Sequence, residues 1–196
     1  MVYCEFTNRR EMRYSMLKHG ILGLLNYHQM TGYEIMTVFR DSLHFFWNAQ
    51  TSQIYRELQA LEAKGWVTKT PVPQQSRPDK NIYNVTPEGR EELLRWLSDG
   101  EPAFESRNHI LMKVFFLGER SREENIRYFE GLKEYCGIFL QSLDAAWEHV
   151  RKYRDLLDDP GKAVYWEMTI DYGRMNLQMY IDWAQNCIER LKEGNR

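Results

Sequence analysis

Thr51, Ser52, Gln53, Arg56 and Gln59 place hydroxyls, carboxamides and a guanidinium on one side of a helical repeat whose other side is Ile54, Leu58 and Leu61. These groups make no nucleophile–base pair. They are hydrogen-bond donors and acceptors, and their chemistry is recognition. A glutamine can bridge adenine and an arginine can fork onto guanine, so short polar groups near the start of an exposed helix suit the base edges of a major groove. By position Ser52, Gln53 and Arg56 are the base readers, and Thr51 reaches a phosphate. Tyr55 has two readings: its hydroxyl meets a phosphate, or its ring packs into the core beside Ile54.

The flanking residues supply the elements that would hold such a helix. Gly65 is a helix stop. Trp66-Val67-Thr68-Lys69-Thr70 alternates like a short strand, and Ile82-Tyr83-Asn84-Val85 like its partner. The polar loop between them, Pro71 to Lys80, carries Arg77 and Lys80, which either touch phosphates and the minor groove or form a solvated hairpin tip. Upstream, Tyr14 to His28 reads as a helix burying Leu17, Ile21, Leu24 and Leu25. Thr31 caps a second helix, with Glu34 completing a capping box and Ile35, Val38 and Phe39 facing inward. Tyr33, at the start of that helix, and Lys64 are weaker phosphate candidates, and Tyr33 reads equally well as core. Thr86 and Pro87 start another helix that runs to about Leu97. Helix, strand, basic loop, strand, helix is the order of a winged helix-turn-helix with a two-stranded β-wing.

Ser98-Asp99-Gly100-Glu101-Pro102 reads as a linker, dividing a DNA-binding domain over residues 1–100 (with 1–13 as an N-terminal arm) from a helical domain over 101–196. A short apolar helix covers Asn108 to Leu117. Then Phe129, Leu132, Cys136, Phe139, Leu143, Ala146, Val150, Tyr153 and Leu157 recur in alternating steps of three and four, the spacing of a coiled-coil seam. Asp158-Asp159-Pro160-Gly161 breaks it, and Trp166, Ile170, Gly173, Leu177, Tyr180, Ala184, Cys187 and Leu191 form a second seam. So short a turn makes the two helices antiparallel. The expected class is mainly α: a winged helix-turn-helix plus a C-terminal antiparallel helical hairpin. Leu132, Phe139, Leu143, Val150, Trp166, Ile170, Leu177, Tyr180 and Leu191 are the expected dimerisation residues, because the hairpin alone makes a thin core. Trp96, Trp147, Trp166 and Trp183, with Phe139, Tyr180 and Met179, either line a cavity for a flat aromatic effector, between the two domains or across the dimer, or fill the seam. Met112, Met168, Met175 and Met179 read as ordinary packing.

Composition narrows the classes. The formal charge is −2, unlike many DNA-binding domains. Residues 1–100 carry 12 basic and 11 acidic side chains against 14 and 17 in the remainder, a weak asymmetry in the direction a DNA reader needs. Cys4, Cys136 and Cys187 share no metal or redox spacing, and with no apolar leader they suggest reduced thiols in a cytoplasm. No apolar run is long enough for a bilayer. The five histidines show no ligand spacing, and no phosphate loop, nucleophile elbow or carboxylate pair is present, so neither metal, cofactor nor catalysis is expected.

Ile21-Leu22-Gly23-Leu24-Leu25, Thr31-Gly32-Tyr33-Glu34-Ile35, Tyr55-Arg56-Glu57-Leu58, Leu61-Glu62-Ala63-Lys64-Gly65-Trp66-Val67 and Thr86-Pro87-Glu88-Gly89 together resemble the PadR family of winged-helix regulators. The resemblance covers residues 14–97 densely and the rest in pattern. It implies a homodimer that binds pseudo-palindromic double-stranded DNA, usually represses, and is released by a small, often aromatic effector or a stress signal. Two features depart from it: the wing lacks the usual Gly before Arg77-Pro78 and carries Asp79, and the N-terminal arm is long. The rival reading is a winged-helix protein–protein interaction module without specific DNA binding, which the near-neutral charge and Asp79 favour.

Overall fold

The computed structural model describes residues 9–43, 46–73, 80–98, 107–154, 157 and 159–194, with backbone only at 9–15, 145, 149, 152 and 153. The chain divides into two compact units, Met1–Glu101 and Pro102–Arg196. The first contains α1 (Arg9–Tyr27), β1 (Met30–Thr31), α2 (Gly32–Val38), α3 (Thr51–Ala63), β2 (Val67–Val72), β3 (Lys80–Val85) and α4 (Pro87–Ser98). A wider π-type turn, Phe39–Leu43, follows α2. The apolar stripes meet in one core: Leu17, Ile21, Leu22 and Leu25 of α1, Ile35 and Phe39, Ile54, Leu58 and Leu61 of α3, and Val67, Tyr83 and Leu93. Ile21, Ile54 and Leu58 are wholly buried, each contributing about 1.5–3 kcal/mol relative to exposure.

Two boundaries differ from the sequence expectation. Helix α1 starts at Arg9, inside the expected arm; Arg9-Arg10-Glu11-Met12-Arg13 holds good helix formers, but no apolar period marks them. The sheet has three antiparallel strands in the order β1-β3-β2. Met30 pairs with Tyr83 and Thr31 with Ile82. A two-residue strand shows no alternation, so the sequence reveals only the hairpin β2–β3.

Tight geometry joins α3, the wing and α4. Gly65 has φ 72°. The Gly65 N–H donates to the Glu62 carbonyl at 2.9 Å and the Trp66 N–H to the Leu61 carbonyl at 3.0 Å, closing α3 by the Schellman pattern. The Thr86 N–H donates to the Trp66 carbonyl at 3.0 Å, and the Thr86 hydroxyl to the Gly65 carbonyl at 2.8 Å. The Gly89 N–H donates in turn to the Thr86 hydroxyl oxygen at 3.1 Å. A Cβ on Gly89 would lie 2.1 Å from the Trp66 carbonyl oxygen, an atom of the backbone that cannot swing aside. Gly89→Ala should therefore destabilise the chain by about 2 kcal/mol or more through overpacking, read as a lowered urea midpoint; an unchanged midpoint would show that α4 slides without cost.

Between α1 and α4, buried His19 lies 2.9 Å by Nε2 from Glu92 Oε1 and stacks on Trp96 with centroids 4.7 Å apart. Lys18 Nζ stands 3.3 Å from the same oxygen, and Arg95 Nε donates to Glu92 Oε2 at 3.0 Å. Burial pushes the Glu92 carboxyl up, but hydrogen bonds from Arg95, His19 and Lys18 outweigh it and hold it at about 2. Depressed below its ordinary 4.5, this group contributes stability fully present above that pH and lost as the pH falls towards 2. Glu92→Gln should be less stable than the parent at neutral pH, with the gap closing below pH ~4; parallel acid-unfolding curves would remove Glu92 as the cause.

The second unit contains α5 (His109–Phe115), α6 (Arg122–Arg154) and α7 (Ala163–Glu193). Asn108 Oδ1 caps α5, accepting from the Ile110 and Leu111 N–H groups at 3.0 Å each. Ser121 and Glu124 form a capping box at the start of α6. Lys133 reaches Gln185 and Asp144 reaches Arg174, so α6 and α7 run antiparallel. Phe129, Cys136, Leu143 and Val150 recur every seventh residue along α6 and are buried, as are Ala163, Ile170, Ala184 and Ile188 on α7. Of the expected dimerisation residues, Leu143, Val150 and Ile170 are buried within the chain itself. Leu132, Phe139, Trp166, Leu177, Tyr180 and Leu191 are half-buried. Among the described residues, no helix is long and apolar enough to cross a membrane.

Candidate nucleic-acid interface

Helix α3 has two unlike sides. Ile54, Glu57, Leu58 and Leu61 are buried, whereas Thr51, Ser52, Tyr55, Arg56 and Gln59 are exposed. Ser52, Arg56 and Gln59 are thus presented together, as the spacing predicts, on a helix whose inner side fixes its rotation. Burial pushes the Glu57 carboxyl up against the opposing pull of Arg56, Lys64 and Lys18.

Two of the expected DNA contacts are otherwise engaged. Gln53 is half-buried, and its Oε1 accepts from the Gln50 N–H at 2.9 Å, closing the start of the helix. The carboxamide oxygen of Gln53, an expected base reader, is thus engaged in capping. The Thr51 hydroxyl donates to Met36 Sδ at 3.0 Å, tying α3 to α2. The cap of α3 thus falls on Gln50, the polar residue next to Thr51.

Tyr55 resolves to the outer side, 42% exposed, with its ring lying over Gly32. Tyr33 is exposed too. Near it stands Arg40, which the sequence reading missed because it falls beyond the regular repeat of α2. Its charge is held chiefly by a hydrogen bond to Asp41, with a smaller contribution from Tyr33. Lys64 sits at the opposite end of α3, about 20 Å from Thr51 along the axis, with Nζ 4.7 Å above the Trp66 ring. That places Lys64 apart from the reading group. Lys80 is exposed at the start of β3; Arg77 and Asp79 lie outside the described residues.

Lys80 also acts on the capping box of α2. Glu34 Oε2 accepts from the Thr31 N–H at 2.6 Å and its hydroxyl at 2.8 Å, while the Glu34 N–H donates to Thr31 Oγ1 at 3.2 Å. Burial raises the Glu34 carboxyl, but these bonds outweigh it with help from Lys80 and His28, leaving it below its ordinary value.

Of the expected effector residues, Trp96 belongs to the first unit and the others to the second. Trp96 is occupied with His19 in the first unit. In the second, Tyr180 Oη accepts from Asn108 Nδ2 at 2.9 Å, and Phe139 packs on Tyr135 with centroids 4.7 Å apart. Trp147 and Trp166 are half-buried farther towards the turn of the hairpin. A shallow open groove on α7 is bordered by Arg174, Met175, Gln178, Met179, Asp182 and Trp183, and so includes two of the expected effector residues, Met179 and Trp183. Tyr165, Met168, Tyr172, Met175 and Met179 lie along α7, all at least 49% exposed. The methionines are therefore not packed as expected, and their signal was present: 165, 168, 172, 175 and 179 repeat the three–four rhythm beside the second seam.

Residues 21–95 match the model of the transcriptional regulator PadR-like family, and residues 106–192 match that of the virulence activator alpha C-terminal region. The chain is 33% identical over 179 residues to the negative transcriptional regulator PadR of Bacillus subtilis, spanning 90% of this chain and 97% of that protein. It belongs to the PadR-like family of transcriptional regulators. A second relative, the probable transcriptional regulator Rv1176c of Mycobacterium tuberculosis, is 42% identical over 188 residues, 90% of this chain and 98% of its own. The structure of B. subtilis PadR in complex with operator DNA superposes with TM-score 0.78 at 27% identity, over 90% of this chain and 99% of that one. The same protein in complex with p-coumaric acid gives 0.72 at 26% identity, over 92% and 97%. The family assignment thus covers both units and agrees with the mainly α winged-helix architecture.

Proposed function

We propose that this PadR-like chain is a DNA-binding repressor that works inside the cell as a homodimer, by binding rather than catalysis, and releases DNA on meeting a small aromatic molecule. The observation that carries this is the exposed group Ser52, Tyr55, Arg56 and Gln59 on a helix clamped by Ile54, Leu58 and Leu61. Ser52 and Arg56 read base edges, Gln59 extends the reading surface, and Tyr55 and Lys80 contact phosphates. Tyr33 and Arg40 are further candidates for the backbone. The operator complex of B. subtilis PadR supports the nucleic-acid partner, and its p-coumaric acid complex supports the class of effector. Two copies would place their α3 helices about 34 Å apart, one turn of duplex.

The apolar stripe of α7 supplies the surface between the copies. Obligate partners bury continuous apolar faces, and isolated chains rarely expose one so long. Met175→Asp should shift the chain from dimer to monomer in sedimentation at micromolar concentration. A dimer of undiminished strength would place the contact elsewhere.

Loss of Arg56 removes a fork onto a base, so Arg56→Ala should lower discrimination between cognate and scrambled duplexes about tenfold or more while leaving the dimer intact. Fluorescence anisotropy across a salt series checks this. Equal discrimination by parent and variant would take Arg56 out of the groove.

A further inference from the structure

We infer that Gly32 is a positioning residue for DNA contact: its bare Cα is the seat that holds the Tyr55 ring in the orientation that brings its hydroxyl to a phosphate. The inference rests on the reading of α3 as the DNA-facing helix. A Cβ on Gly32 would come 2.6 Å from Tyr55 Cε1, 3.0 Å from Cζ and 3.2 Å from the hydroxyl oxygen. Such separations are below ordinary van der Waals contact, so something must move.

The surroundings determine what moves. Thr31, immediately before Gly32, pairs with Ile82 in the sheet and closes the capping box with Glu34. Gly32 is itself buried. The backbone of α2 is thus held on two sides. The backbone of α3 is held as well, because Ile54 and Leu58 flank Tyr55 in sequence and are wholly buried. Tyr55 alone has room, being 42% exposed. An alanine at position 32 would therefore swing the phenol outward and leave the core untouched. No left-handed backbone conformation is found at Gly32, so conformational freedom does not account for a glycine there. Its role is the space it leaves.

The test measures binding of a mixed-sequence duplex at low salt by fluorescence anisotropy, because a phosphate contact weakens all sequences alike. Gly32→Ala should bind about tenfold more weakly, the scale of one lost hydrogen bond to a charged group. Tyr55→Ala should lose at least as much, and adding Gly32→Ala to Tyr55→Ala should cost nothing more. Melting of Gly32→Ala should stay within about 2 °C of the parent, since alanine is the better helix former. Full-strength binding by Gly32→Ala, an additional loss in the double variant, or collapse of the Gly32→Ala fold would each overturn the positioning role. If binding falls with Arg56→Ala but not with Gly32→Ala, only this inference fails. If the parent binds no duplex, the DNA-facing reading fails with it.

Discussion

The Trp66 carbonyl is the point at which the first unit is fastened. It accepts from the Thr86 N–H, and the missing side chain of Gly89 lets α4 sit directly on it. Because Trp66 follows the Schellman turn that ends α3, this one peptide fixes the end of the recognition helix, the start of β2 and the start of α4 together. The wing leaves and returns within a single hydrogen-bonded corner, so its position relative to α3 is set by backbone geometry. Side-chain packing then sets the rotation of α3. That division leaves the outer side of the helix free to vary in sequence without altering the fold.

The same economy governs the start of α2. Thr31 belongs at once to a two-residue strand and to a capping box, which locks the backbone where Tyr55 rests. Charges there are local and paired: Glu34 with Lys80 and His28 nearby, Arg40 with Asp41. A chain of near-neutral net charge can still present cations to a polyanion when its carboxylates are turned into caps and buried clamps, as Glu34 and Glu92 are. Net charge is therefore a poor guide to the partner of this surface.

What the sequence discloses follows from which interactions are periodic. The stripes Ile54, Leu58, Leu61 and Phe129, Cys136, Leu143 repeat at helical spacing, so the helices and their inward faces could be read directly. Gly65 and Thr86-Pro87-Glu88-Gly89 carry turn chemistry that depends only on local residue types. Strand β1 was hidden because two residues have no period. The diversion of Gln53 into a cap and of the Thr51 hydroxyl onto Met36 depends on partners three and fifteen residues away, which no residue type announces. On α7 the difficulty is the opposite: two apolar stripes lie side by side at the same spacing, so periodicity alone does not say which fits the hairpin and which faces outward.

The central claim is that α3 reads duplex DNA in two copies held at a fixed spacing. The most direct measurement is selection of duplexes from a random-sequence pool by the full-length protein, with affinity for the enriched duplex followed against salt. The account predicts a two-fold symmetric sequence with half-sites about one helical turn apart, bound with an affinity that falls steeply as salt rises. A pool that returns unenriched, or an affinity indifferent to salt, would contradict it and leave a winged helix whose partner is a protein.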